Sequence, residues 1–385
     1  MARPTGYDVV AFGEMIECEP RMAIYAEALR RAVTQGCSVI DIGAGFGIFS
    51  ILACKYGAGS VVAIEPDPSS NLLMQIAEAN GCADRITVVQ DLSTKYTPPT
   101  RADVIVSDIR GITPLFEYHI PTIVDARNRL LKPEGQLIPM RDTVRIAPVH
   151  APRHYKPRHR PWLENNYGLD FSAAHQTAVN IPAPAYLEPD AFLSEPQALA
   201  TLDYRTITDP NVSNTLEFRV DKAQTVHGLL VFFDAEIGEE LRFSSGPGHP
   251  QLVYQQELLP FEQAVKLAAG DRITAQISAK LIDGQYVWSW NTTISDASGV
   301  APRHSFRQST FKGQLFSADK LRPHGHYRVP ERSAKMTVDQ DCLSFVGEGR
   351  SLEDIAVALK ERHPGYFESD KAALGHVTKL LERYR

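Results

Sequence analysis

A single βαβ unit at residues 38–67 constrains the fold of the N-terminal part of this chain more than any other stretch. Val39 to Ile42 is a short apolar run with the length and composition of a buried strand. It breaks at Gly43, Gly45 and Gly47, and apolar residues then return at helical spacing at Ile48, Ile51 and Leu52. A second apolar run, Val61 to Ile64, ends in Glu65. The unit therefore carries a glycine elbow after its first strand and a carboxylate at the tip of its second. Glycines let a ligand approach the backbone where a side chain would collide. Glu65 can accept hydrogen bonds from two adjacent ribose hydroxyls, so the expected ligand is a nucleoside.

The spacing decides which nucleoside is expected. A dinucleotide fingerprint puts its third glycine three residues after the second. Here the glycines alternate and an acid, Asp41, lies inside the strand end. Asp41-x-Gly43-x-Gly45-x-Gly47 resembles the first motif of class I S-adenosylmethionine (SAM)-dependent methyltransferases. In those proteins the strand-end acid and the loop backbone hold the cationic amino-acid part, and there is no pyrophosphate to seat. SAM is the expected cofactor, with a dinucleotide or an unliganded turn as the alternatives.

At 385 residues the chain has room for two or three domains. A net charge of −6 gives no global attraction to nucleic acid or to an anionic membrane. Cys18, Cys37, Cys54, Cys82 and Cys342 form no C-x-x-C pair, so neither zinc nor a disulfide framework is expected. There is no signal-peptide pattern and no apolar run near the roughly 20 residues that span a bilayer. A cytoplasmic protein is expected.

Residues 7–35 have helical spacing through Tyr25, Ala28, Leu29 and Val33. This helix could fold over the cofactor and bring Arg21 to the SAM carboxylate, for which a guanidinium is well shaped; the alternative is a solvated arginine. Ser69 to Asn80 reads as a helix and Ile86 to Val89 as the third strand, closing on Asp91. Asp91 either receives the adenine amino group or caps its own loop. Val104 to Val106 is the fourth strand, and Ser107-Asp108-Ile109-Arg110-Gly111 follows it. Ligands of open α/β sheets lie beyond the carboxyl ends of strands, so this tip faces the methyl group. Glu117 opens the next helix, and Gln136 to Ile138 is the fifth strand.

From Val144 onward short alternating strands, among them Leu216–Val220, Leu229–Phe233, Ile273–Ile277 and Tyr286–Trp290, argue for a β-sandwich or barrel. Tyr286, Trp288 and Trp290 share one strand face and read as core. The basic stretch Arg153–Arg160 reads as a solvated connection between domains.

Taken together the chain resembles the protein arginine methyltransferases over about residues 7–316. The resemblance rests on the elbow, on the acid-x8-acid loop Asp108…Glu117, and on Ala126-Arg-Asn-Arg-Leu-Leu-Lys-Pro-Glu-Gly-Gln-Leu-Ile-Pro139. Trp162 to Ser172 and Phe311 to Leu315 also contribute. It implies a Rossmann-like SAM-binding domain (1–142), then a β-barrel domain (143–316) whose residues 170–200 form a dimerisation arm. A homodimer and a peptide, protein or small-molecule acceptor are implied, with neither nucleic acid nor membrane as partner. The resemblance makes Asp108 and Glu117 a clamp for a guanidinium, and His249 a group that pairs with a carboxylate or takes a proton.

The chain also departs from the family pattern. Asp108 is one methylene shorter than the usual Glu, and Arg110 stands where an apolar residue is usual. Arg110 therefore either turns away from the pocket, or neutralises Asp108 so that the substrate is not arginine, or binds a substrate anion. The expected activity is SAM-dependent methylation of an arginine-type guanidino nitrogen. Methylation of another N or O nucleophile, and a catalytically silent SAM-binding scaffold, are the rival readings.

Residues 317–335 read as a linker. Beyond it, Ser351-x-x-Asp354 has the form of a capping box, and two helical faces follow, Leu352/Ile355/Ala356/Leu359 and Ala373/Val377/Leu380/Leu381. This module, 336–385, resembles the latter part of the PqqD-like winged-helix peptide-binding domains, or is a plain helical appendage.

Overall fold

The computed structural model describes residues 9–384, apart from 69, 165–166, 300, 316–328 and 330–331; most of the expected linker lies outside the described residues. Two helices, α1 (Val9–Glu17) and α2 (Glu19–Ala32), precede the first sheet. α2 has Pro20 in its first turn, Glu19 at its positive end and Arg30 and Arg31 at its negative end, all favourable for a helix. Its inner face buries Arg21, Tyr25, Ala28, Leu29 and Ala32, whereas α1 buries no residue fully.

The first sheet holds β1 (Ser38–Ile42), β2 (Ser60–Ile64), β3 (Ile86–Val89), β4 (Ala102–Ser107) and β5 (Leu131–Ile138), all parallel in the order β3-β2-β1-β4-β5. The helices α3 (Ile48–Lys55), α4 (Ser70–Ala79) and α5 (His119–Asp125) connect its strands. The order reverses between β1 and β4, where a doubly wound sheet opens a crevice. Ile42 pairs opposite Ser107, so the glycine elbow and the Asp108 loop leave the sheet side by side. β5 begins at Leu131, five residues earlier than the expected Gln136. Leu131 lies opposite Ala102 and Gln136 opposite Val104, so Lys132–Gly135 are accommodated as an irregularity in an otherwise regular edge strand.

β6 (Arg141–Val149) carries the chain into antiparallel structure. One sheet orders β7 (Ala183–Ala185), β12 (Gln256–Leu267), β10 (Gln224–Gly238), β6 and β8 (Gln197–Asp203), with β11 (Leu241–Ser244) paired to β10. The other orders β15 (Pro302–Ser309), β14 (Gln285–Ser295), β13 (Arg272–Ile282) and β9 (Val212–Arg219). Trp288 and Trp290 are buried, and the Trp290 indole N–H donates to the Pro260 carbonyl at 3.0 Å, so this face is core as expected. One apolar cluster runs from Ile40, Ile42 and Ile105 of the parallel sheet to Phe218, Phe261 and Trp290 of the barrel. This shared core makes the chain up to Leu315 one compact unit.

The basic stretch differs from expectation. It forms a helix, α6 (Pro152–Leu163), with Tyr155 and His159 buried. His159 is held to His175 of α7 (Ser172–Ala178) by a 3.0 Å contact between Nδ1 and Nε2. Pro152 in the first turn and one buried face stabilise a helix whose other face keeps the cations in water.

The second compact unit, from residue 316, contains α8 (Ala334–Ser344), α9 (Leu352–Arg362) and α10 (Asp370–Leu381) and, among its described residues, no strand. Ser351 and Asp354 form the reciprocal capping box. Val338, Cys342, Ile355, Leu359, Phe367 and Val377 make its small core. No described helix of the chain is long and apolar enough to cross a membrane.

Candidate active site at the carboxyl edge of the parallel sheet

A cavity of about 1030 Å³ opens where the elbow, the tips of β2 and β4, helix α1 and the segment before β12 meet. The elbow shapes its floor. Gly43 and Gly45 have φ of 74° and 53°, a region that favours glycine. A Cβ on Gly43 would lie 2.3 Å from Ile109, and one on Gly45 2.4 Å from the ring of Phe12. The missing side chains thus admit Ile109 and Phe12, both of which line the cavity, onto the backbone. Gly47 is the residue before α3.

Glu65 lines the cavity and is nearly buried. It accepts the backbone N–H groups of Gly45 at 2.9 Å and Asp67 at 2.9 Å, so both its oxygens are fixed in place with lone pairs to spare. Burial raises its pKa, and these two hydrogen bonds oppose the shift. Asp41 lies elsewhere than expected. It does not line the cavity; one oxygen accepts the Ser50 backbone N–H at 3.0 Å and the Ser50 hydroxyl at 2.7 Å. Its other oxygen is buried without a hydrogen-bond partner, and burial pushes its carboxyl up to about 7. Asp41 therefore pins the start of α3 beneath the elbow. Asp91 takes the second of its two readings. It accepts the N–H of Leu92 at 2.7 Å and pairs with Lys95 at 3.1 Å, capping its own loop, while Leu92, Ser93 and Thr94 line the cavity.

Arg21 is buried, not solvated. Its Nε and Nη2 reach Asp108 Oδ2 at 2.7 and 2.6 Å, Nε also reaches the Tyr254 hydroxyl at 3.1 Å, and Nη1 donates to the Met15 carbonyl at 3.1 Å. Arg110 has a fully buried side chain. Its Nε donates to Asp108 Oδ1 at 3.2 Å, its Nη1 to Asp142 Oδ1 at 3.2 Å, and its Nη2 to the Tyr25 hydroxyl. The rings of Phe233, Phe243, Tyr254 and Tyr25 surround it with centroids 5.5–5.9 Å away. Burial works against both charges, but Arg21 and then Arg110 hold the Asp108 carboxyl low, and Asp142, Tyr25 and Asp108 hold Arg110 high. The network continues inward. Tyr204 donates to Asp142 Oδ2 at 2.6 Å and meets His119 Nε2 at 3.0 Å, and burial drops His119 to about 3, leaving it neutral.

Glu117 lines the cavity at its rim, exposed, with φ 39° and no hydrogen-bond or ion-pair partner among the described residues. It is not brought onto Asp108 through a shared partner, so the two acids of the loop are chemically unequal. His249 is not in the site. It is exposed in the turn after β11 and lines no part of the cavity. Val253, Tyr254 and Gln255 reach the cavity instead, and Tyr254 donates to Asp108. Gly248, His249 and Pro250 are all exposed, and the chain reaches the cavity wall at Val253.

Two family models match the chain in tandem. Residues 20–139 match ribosomal protein L11 methyltransferase (PrmA), and residues 141–290 match the arginine methyltransferase oligomerization subdomain. Human protein arginine N-methyltransferase 2 is 29% identical over 308 residues, covering 75% of this chain and 70% of that protein. Protein arginine N-methyltransferase 1 of Dictyostelium discoideum is 26% identical over 278 residues, covering 70% and 81%. The chain is an arginine-methyltransferase-like, SAM-dependent methyltransferase. Solved structures of similar fold are the Trypanosoma brucei PRMT1 enzyme–prozyme heterotetramer with AdoHcy (TM-score 0.70, 22% identity, 77% of this chain and 97% of that one) and Arabidopsis thaliana protein arginine methyltransferase 10 (TM-score 0.68, 19%, 78% and 97%).

The residues of this methyltransferase suit SAM. The Glu65 carboxylate is fixed on the cavity wall for a diol, Gly43 puts bare backbone at the β1 tip with Ile109 packed against it, and Arg21 brings a cation to the lining. The methyltransferase site also contains residues not anticipated from sequence: Tyr25, Asp142, Tyr204, His119 and Tyr254. One of them was detectable. In Arg141-Asp142-Thr143-Val144-Arg145-Ile146 the buried positions alternate, and Asp142 stands in the phase of Val144 and Ile146. A carboxylate at a core position of a strand requires a buried partner.

Proposed function

We propose that this methyltransferase acts on a guanidino nitrogen, in an arginine residue of a peptide or protein or in a small guanidine. The observation that carries the reading is Glu117, a carboxylate with no partner among the described residues on the wall of the cavity that Gly43 and Glu65 also line. The similarity to arginine methyltransferases supports it. SAM, when bound, supplies an electrophilic methyl on a sulfonium and departs as the thioether. Glu117 accepts hydrogen bonds from the cationic acceptor, turns a terminal nitrogen toward the cofactor, and stabilises the charge that moves onto it. It then accepts the proton that the methylated nitrogen loses, and its exposure lets it pass that proton to water. The test is incubation with labelled SAM, arginyl peptides, small guanidines and amine- or hydroxyl-bearing controls, read by mass spectrometry. Methyl on a guanidino nitrogen is the expected result. Methyl on the controls alone would replace the acceptor class, and SAM binding without transfer to any of them would leave a scaffold.

The reading extends to a homodimer through residues 170–200, supported by the oligomerization-subdomain match and by Phe171, Ile181 and Tyr186, which are apolar and exposed around α7. Light scattering at micromolar concentration should give twice the 42.7 kDa chain mass. A species at the chain mass alone would remove this part. The C-terminal helical unit, by its resemblance to peptide-binding modules, is assigned to recognition of a peptide acceptor; deleting residues 334–385 should raise KM for peptides and leave KM for small guanidines as it was.

A further inference from the structure

The hydrogen bonds of Asp108 bear directly on how the acceptor is held. A carboxylate offers about four lone-pair sites. Asp108 receives Arg21 Nε, Arg21 Nη2 and the Tyr254 hydroxyl on Oδ2, and Arg110 Nε on Oδ1. Three donors therefore crowd Oδ2 and Arg110 takes Oδ1, so neither oxygen is left without a donor. Arg110 in turn sits between two carboxylates and among four aromatic rings, surroundings that suit a bound guanidinium. Arg21 and Arg110 carry two positive charges against the two negative charges of Asp108 and Asp142, so the inner wall is neutral as a group. A second guanidinium in the cavity consequently meets little net repulsion, and of the two loop acids it finds only Glu117 without a partner among the described residues; Glu14 of α1, which also lines the cavity, is the other acid in that state.

We propose that Arg110 is a specificity-determining residue that fills the guanidinium position at Asp108, so that, of the two loop acids, Glu117 alone holds an acceptor guanidinium and Asp108 acts as a positioning residue for Arg21. The proposal rests on the guanidino reading given above. It leaves one loop carboxylate, Glu117, for the acceptor, while Asp108 governs the cofactor side through Arg21.

Arg110→Met frees Asp108 Oδ1 toward the cavity. It should lower the KM for an arginyl peptide about tenfold, the yield of one charge-assisted hydrogen bond. Arg110→Lys keeps a cation between the carboxylates and should keep the wild-type KM; it also serves if the methionine variant fails to fold, as judged by its melting curve. Asp108→Asn should weaken calorimetric binding of S-adenosylhomocysteine about tenfold and leave acceptor KM nearly unchanged. An Arg110→Met variant that folds and has an unchanged or higher acceptor KM overturns the proposal, as does an Asp108→Asn variant that alters acceptor KM but not cofactor affinity. If Arg110→Met does not fold, a lowered acceptor KM in Arg110→Lys overturns it and a retained KM with the Asp108→Asn cofactor defect supports it. If the wild type methylates no guanidine, the substrate reading fails by itself. The inference is then read from calorimetry with guanidinium and S-adenosylhomocysteine: binding acquired by Arg110→Met supports it, and none overturns it.

Discussion

Replacing Glu117 by glutamine should lower kcat/KM for a guanidino acceptor by about 10²–10³-fold, the scale seen when one preorganised electrostatic partner of a transition state is removed. Glutamine has nearly the same shape and keeps one hydrogen-bond acceptor, so the loss isolates the negative charge. No other acid in the loop can substitute, because Asp108 is already held by Arg21, Arg110 and Tyr254. Binding of S-adenosylhomocysteine should be unaffected, since Glu117 is at the rim and Glu65 is fixed by Gly45 and Asp67. Steady-state kinetics and calorimetry on the same preparation separate the two effects. A defect seen only in cofactor binding would place Glu117 on the wrong side of the transferred methyl.

Asp41→Asn should stabilise the ligand-free protein above pH 7, by about 2–4 kcal/mol at pH 8, and should do nothing near pH 3. Burial raises the Asp41 carboxyl to about 7 in the fold, against an ordinary value near 3.9 in the unfolded chain. Below the unfolded value both states hold the proton and the group is neutral in its effect. As pH rises toward 7 the unfolded chain has released its proton while the folded one retains it, and stability falls by about 1.4 kcal/mol per pH unit. Asparagine mimics the neutral form, and its carbonyl can accept the same two donors from Ser50. Denaturant midpoints of both proteins between pH 4 and 8 test this. Parallel curves would show that Asp41 is ionised in the fold without penalty.

How much of this was legible depends on how local each determinant is. The parallel half could be read because glycine spacing and short apolar runs act within about 30 residues, and the Asp108…Glu117 spacing lies within one loop. The orientation of Arg110 could not be read, because it is set by Asp142, Tyr25, Phe233 and Phe243, which come from four other elements. His249 misled for a related reason. A histidine next to glycine and proline after a strand looks like a loop that could reach the site, yet the same turn chemistry suits an exposed bend, and the chain returns to the cavity only at Val253. Asp91 and the basic helix α6 show the other limit, where two readings had the same residues and only the partners decide.

The backbone of Glu117 has one more consequence. Its φ of 39° lies where an L-residue with a Cβ is disfavoured, by roughly 1–2 kcal/mol, and glycine there would relieve that strain. Its side chain is exposed and unpartnered, so packing gives nothing in return. Backbone strain and the lack of packing therefore both argue against glutamate at this position, opposed by the unfolded-state entropy of glycine and by the nearby start of α5. In a stability-guided redesign of this protein, position 117 would be flagged for change on its backbone, and accepting that suggestion would trade a small gain in melting temperature for the group proposed to hold the acceptor.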